Sequence, residues 1–132
     1  GLRGAADIAV VNRTQSRAIE ASECADVARV GSESDIADAT LLINTTSVGM
    51  GTDESPVGPS FLHSSLIALD AVYHPLETAF IAQAQMAGAV TVDGLWMLIC
   101  QAARQEELWC GMTPDPQVMR DAALRELALR NA

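Results

Sequence analysis

Two arginines one helical turn apart, Arg13 and Arg17, follow Asn12 and flank Thr14. Placed where an apolar run ends and a helix begins, they could hold an anion. Bidentate guanidinium donors, a threonine hydroxyl and the positive end of the helix dipole all favour it. In a dinucleotide-binding fold the residue closing the second strand reads the adenosine ribose: an acid suits the 2′-hydroxyl of NAD, and an arginine suits the 2′-phosphate of NADP. No acid stands between Asn12 and Arg17. The spacing therefore points to a bound phosphate, although a solvated arginine pair on a helix surface would satisfy it as well.

The second group is Asn44-Thr45-Thr46-Ser47-Val48-Gly49-Met50, which follows Leu41-Leu42-Ile43. A short apolar run that stops in hydroxyls and a glycine reads as a buried parallel strand opening into a loop, and ligands bind at that end of open α/β sheets. Thr45, Thr46 and Ser47 would bring hydroxyls and backbone N–H groups to the rim, and Gly49 would let the main chain approach a ligand closely. A third group sits where two later apolar runs end. Tyr73 follows Asp70-Ala71-Val72, and Gln101 lies two turns into the helix that Asp93-Gly94 opens. A phenol and an amide suit hydrogen bonding to a hydroxylated substrate. His74 has the type of a general base, but its place just before Pro75 reads as a loop residue.

These groups need a scaffold of alternating strands and helices. Residues 6 to 11 form a β-type run. Thr14 suits the N-cap of a helix over about 15 to 25. Residues 27 to 30 suit a short edge strand, 34 to 39 a single helical turn, and 40 to 44 the next strand. Gly and Pro punctuate 51 to 60 as a loop. Residues 66 to 72 read as a third buried strand, and Pro75 is placed to open a helix running to about 87, closed by Gly88. A further strand over 89 to 92, a long helix over about 95 to 109, a break at 111 to 116 and a last helix over about 117 to 130 complete the series. Residues 1 to 4 resemble a helix tail with its glycine stop. This order predicts an α/β fold with a parallel sheet and flanking helices, as one domain over 1 to 132.

Composition narrows the chemistry. The 132 residues carry a net charge of −9, which leaves no basic surface for nucleic acid. All eight basic residues are arginines, so no lysine can act as an acid, a base or a Schiff-base former. Three cysteines without a C-x-x-C pair argue against a zinc site or a disulfide framework and fit reduced thiols in a cytoplasmic protein. No apolar run approaches the ~18 residues of a membrane span, and no signal-peptide pattern is present. The first residue is Gly rather than Met, which suggests an upstream part outside this sequence.

Taken together, Asn12-Arg13-Thr14-x-x-Arg17-Ala18, Asn44-x-Thr46-Ser47-x-Gly49-Met50, Asp70-x-x-Tyr73-x-Pro75-x-x-Thr78 and Asp93-Gly94-x-x-Met97-Leu98-x-x-Gln101-Ala102 resemble the shikimate dehydrogenase family. Glu107-Leu108-Trp109-x-Gly111 continues the likeness, which covers the family's C-terminal, NADP-binding part and its final helix. The resemblance implies a Rossmann-like sheet and reversible reduction of 3-dehydroshikimate to shikimate with NADPH, in aromatic amino acid biosynthesis. It implies that Asn12, Arg13, Thr14 and Arg17 hold the adenosine 2′-phosphate and that Thr46 and Ser47 line the cofactor groove. By the same resemblance, Ala71, Gly94 and Met97 lie near the nicotinamide, and Tyr73 and Gln101 contact the substrate. His74 stands where the family usually has Asn, and Trp96 and Cys100 stand where it often has Gly and His.

The resemblance also implies what to expect elsewhere. The family's catalytic Lys and Asp belong to an N-terminal substrate domain, so no catalytic residue is expected here and the chain alone is expected to be inactive. The family's first strand and glycine-rich phosphate loop are likewise expected to be lacking. Without that central strand, strands 6 to 12 and 40 to 44 would either face an empty slot or close against each other. Two alternatives stay open: a non-catalytic module that binds a nucleotide or a partner protein, and a related dehydrogenase acting on quinate or another polyol acid. The oligomeric state is open too, a homodimer being one arrangement.

Overall fold

The structure is a computed structural model that describes residues 4–130; the expected helix tail falls on residues 1 to 3, outside the described residues. Five short strands alternate with helices: β1 (Ile8–Val10), α1 (Gln15–Ser22), β2 (Ala28–Val30), β3 (Leu41–Asn44), β4 (Ile67–Asp70), α2 (Ala79–Met86), β5 (Val90–Val92), α3 (Gly94–Cys110) and α4 (Pro116–Arg130). Two 3-10 turns, Glu33–Asp38 and Pro59–Phe61, lie before β3 and β4. Every pairing is parallel, as expected of strands joined by helical crossovers.

The strands divide into two sheets, β1-β2 and β3-β4-β5. Among the described residues β1 and β3 do not pair, so these two strands do not close against each other. The 3-10 turn Glu33–Asp38 ties the halves together. Arg29 donates to Asp7 from Nε and Nη2, both at 2.9 Å, and from Nη2 to Asp35 at 2.7 Å. Asp35 also accepts the Ser32 N–H at 2.7 Å, completing a capping box. The Arg29 guanidinium and the Ser32 N–H outweigh the effect of desolvation and lower the Asp35 carboxyl to about 2. From the same turn Ile36 enters the main core beside Leu62, Leu66, Ala68, Phe80, Ile81 and Ala84.

That core lies between one face of β3-β4-β5 and α2. Phe80 at its centre is fully buried, which contributes about 1.5 to 3 kcal/mol relative to an exposed ring. The opposite sheet face departs from expectation. The runs in β3 and β4 read as strands buried on both sides, yet Leu41, Ile67 and Val90, aligned across the three strands, are all exposed. Among the described residues α2 covers only the other face, and the apolar run cannot reveal how many layers will cover it.

Two helix starts illustrate local control. Pro75 does not open α2, as its position suggested; it lies in a turn, and the helix begins at Ala79. Thr78 sets that start, because its hydroxyl accepts the Ile81 N–H at 3.3 Å. Asp93 does the same for α3, accepting the Trp96 N–H at 3.2 Å, and Gly111 ends that helix in the left-handed region at φ 68°. No helix among the described residues is long and apolar enough to cross a membrane, and no cluster of metal-ligating side chains occurs among them.

Candidate functional site

The carboxyl ends of β3 and β4 are locked together by a buried polar network. Asn44 and Asp70 are in register, and the Asn44 Nδ2 group donates to Asp70 Oδ1 at 2.9 Å and to the Val48 carbonyl at 3.1 Å. The same Asp70 oxygen accepts the Val72 N–H at 3.0 Å, while Asp70 Oδ2 accepts the Thr78 hydroxyl at 2.6 Å. Asn44, Asp70 and Thr78 are all buried. One carboxylate therefore sets the exit of β4, the start of α2 and, through Asn44, the loop after β3. The sequence reading gave Asp70 and Thr78 no role of their own. Their signal was two polar residues ending adjacent apolar runs, followed by a threonine at a helix start.

Asn44 carries this order into the loop that holds Thr46 and Ser47. Its Oδ1 accepts from the Thr46 N–H at 3.0 Å and the Thr46 hydroxyl at 2.8 Å. The Thr46 oxygen in turn accepts the Val48 N–H at 3.1 Å. The Thr46 hydroxyl is thus committed to shaping the loop, while Ser47 stands exposed at its tip. Gly49, expected to admit a ligand, is instead buried at φ 94°, where a side chain would meet Thr78 at 3.3 Å. The close approach it permits is to α2.

Ala71 and Gly94 lie against each other. A Cβ on Gly94 would lie 2.4 Å from the Val72 carbonyl oxygen and 2.7 Å from that of Ala71, so only glycine lets α3 start against the end of β4. Met97 and Gln101, on the following turns of α3, line a hollow of about 590 Å³ whose apolar floor is Leu69 and Val92. Trp96, Cys100 and Arg104 share its wall, Arg104 being paired with Glu107. Tyr73 is exposed and is not part of this wall. The hollow brings Met97 and Gln101 together and leaves Tyr73 at a separate point on the rim of the sheet.

The fourth region is the turn from β1 into α1. Asn12 Oδ1 accepts the Thr14 N–H at 2.8 Å, shaping the turn as an Asx motif. Thr14 occupies the N-cap position, but its side chain makes no capping bond, and the first turn of α1 holds no acid. Arg13 and Arg17 are exposed and, among the described residues, form no ion pair. Two unpaired cations and a free hydroxyl beside a helix N-terminus can accept an anion without first breaking internal bonds.

The chain is similar to known proteins over most of its length. Residues 94–124 match the family model for the shikimate 5′-dehydrogenase C-terminal domain. The shikimate dehydrogenase (NADP(+)) of Natronomonas pharaonis is 42% identical over 120 residues, covering 88% of this chain and 46% of that protein. Among solved structures, the Thermus thermophilus shikimate 5-dehydrogenase complex with NADP(H) and shikimate superposes with a TM-score of 0.80 at 36% identity, over 86% of this chain and 44% of that one. The Corynebacterium glutamicum quinate dehydrogenase complex with NAD gives 0.82 at 26% identity, over 94% and 48%. With four motifs, the parallel fold and these relatives in agreement, the chain belongs to the shikimate dehydrogenase family, and it spans just under half the length of the curated relatives it matches.

Proposed function

We propose that this chain is the NADP-binding half of a cytoplasmic shikimate dehydrogenase, which interconverts 3-dehydroshikimate plus NADPH with shikimate plus NADP. The observation that supports the reading is that Arg13 and Arg17, at a helix start free of acid, form no ion pair among the described residues. There Asn12 shapes the turn, and Arg13, Arg17 and the Thr14 hydroxyl hold the 2′-phosphate. Thr46 and Ser47 line the groove through their loop, and Gly94 keeps the α3 start clear of side chains beside Ala71 and Met97. Tyr73 and Gln101 hydrogen-bond the substrate. The bound nicotinamide supplies or accepts the hydride.

Reduction of a ketone also needs a proton at the developing alkoxide. With no lysine in the chain, that proton comes in this reading from the family's N-terminal substrate domain, which works as partner to the present half. Calorimetric titration of the intact protein tests the proposal: NADP binds more tightly than NAD, and equal affinities would remove its basis. A quinate dehydrogenase is the second reading, supported by Trp96 and Cys100 in the wall of the hollow and by the fold match to the quinate enzyme. Turnover of quinate in preference to shikimate would select it.

A further inference from the structure

The wall of the hollow is held from behind by the last helix. Arg120 of α4 donates to both carboxylate oxygens of Asp93, Nη1 to Oδ1 at 2.9 Å and Nη2 to Oδ2 at 2.7 Å. Only 13% of the Arg120 side chain and 21% of the Asp93 side chain is exposed. The same guanidinium lies over the Trp96 ring, 4.6 Å from its centroid, within range of a cation–π interaction. Asp93 meanwhile caps α3 at the Trp96 N–H. Trp96 is thus gripped at its backbone by Asp93 and at its ring by Arg120, and it stands in the hollow's wall beside Met97 and Gln101.

We propose that Trp96 is a specificity-determining wall of the substrate side of the hollow and that Arg120 is its positioning residue, so that α4 sets the shape of a site it does not line. This rests on the functional reading above. A planar guanidinium is suited to the task, since it forms two parallel bonds to a carboxylate and stacks on an aromatic face at once, which an ammonium cannot do. A ring released from that stack can change rotamer, and a misplaced wall weakens ground-state binding before it touches the hydride step.

Steady-state kinetics on the intact protein and fluorescence on the 132-residue chain test the proposal separately. In Arg120→Met, KM for shikimate rises about five-fold or more while kcat and NADP affinity stay within about two-fold, and Arg120→Lys falls between. A Trp109→Phe background leaves Trp96 as the single tryptophan of the chain, and its emission moves to longer wavelength when Arg120→Met exposes the ring. Asp93→Asn keeps a capping oxygen while breaking the ion pair, and it gives the same two readings should Arg120→Met fail to fold. Unmoved emission overturns the latch, and shifted emission with unmoved KM overturns its role in substrate binding. An intact protein that turns over no shikimate before any substitution overturns the functional reading instead, while a shift in emission still supports the latch.

Discussion

Two strand ends of this molecule do opposite things with polar residues. At the ends of β3 and β4, Asn44, Asp70 and Thr78 are buried and bonded to one another and to the main chain. At the end of β1, Arg13 and Arg17 are exposed and pair with nothing among the described residues. Buried polar atoms must find partners inside the fold, whereas exposed cations can be left for a ligand. The difference separates groups that fix the strand ends from groups left open to solvent, even where both occupy positions at which α/β folds bind ligands.

The largest effect comes from breaking the first region. Asp70→Ala strands the Thr78 hydroxyl, the Val72 N–H and one Asn44 donor away from water. Each orphaned buried donor costs about 1 to 3 kcal/mol, so a loss of about 3 kcal/mol or more is expected in urea unfolding. A variant as stable as the parent would show that Asp70 does not organise this end of the sheet. The second region should respond in the opposite sense. Arg13→Ala leaves the unfolding midpoint unchanged but costs about 1.5 to 3 kcal/mol of NADP affinity in the intact protein, roughly one to two decades, with NAD affinity nearly unaltered. Equal losses for both nucleotides in calorimetry would place Arg13 away from the 2′-phosphate.

Thr46 sharpens the comparison, because its position suggests the second class and its bonds put it in the first. Its hydroxyl donates to Asn44 and accepts from Val48. Thr46→Val should lower stability by about 1 kcal/mol and change NADP affinity by less than about two-fold. A ten-fold loss of affinity at unchanged stability would return the hydroxyl to the cofactor groove.

The alternation of strands and helices was legible in the sequence because each apolar run was bounded by its own punctuation. Gly88 and Gly111 both stop helices at positive φ, as their positions after apolar segments indicated. What escaped was set by tertiary partners. Pro75 seemed the natural helix start until Thr78 bonded Asp70 and moved it. Gly49 looked open to a ligand, but packs on Thr78. Single residues of the candidate site could be named by type, Arg13 and Arg17 above all. The company they keep was not: Met97 and Gln101 share a hollow that Tyr73 does not line, and Arg120 reaches Asp93 across 27 positions of chain. No local pattern announces such a contact.

That last contact provides the smallest expected effect, and it tests whether a partly buried ion pair behaves like the fixed region. Burial alone would push the Asp93 carboxyl up, but the Arg120 guanidinium and the Trp96 and Leu95 N–H groups outweigh it and hold the carboxyl below its ordinary value. A carboxyl with a lowered folded-state pKa contributes stability that is fully present above the unfolded value of about 3.9 and is lost as pH falls through the folded value. Acid unfolding of the 132-residue chain should therefore steepen below about pH 4. Arg120→Met removes the main attraction on Asp93, so its folded-state pKa rises toward the unfolded value, stability near neutral pH falls, and the part of the acid limb that Asp93 supplies flattens. The Asp35 carboxyl, held to about 2 by Arg29, also contributes to the acid limb but is untouched by this substitution, so the difference between parent and variant isolates Asp93. An acid limb that coincides in the two proteins would mean that the Arg120–Asp93 pair, unlike Asn44 and Asp70, adds nothing to the stability of the strand end it caps.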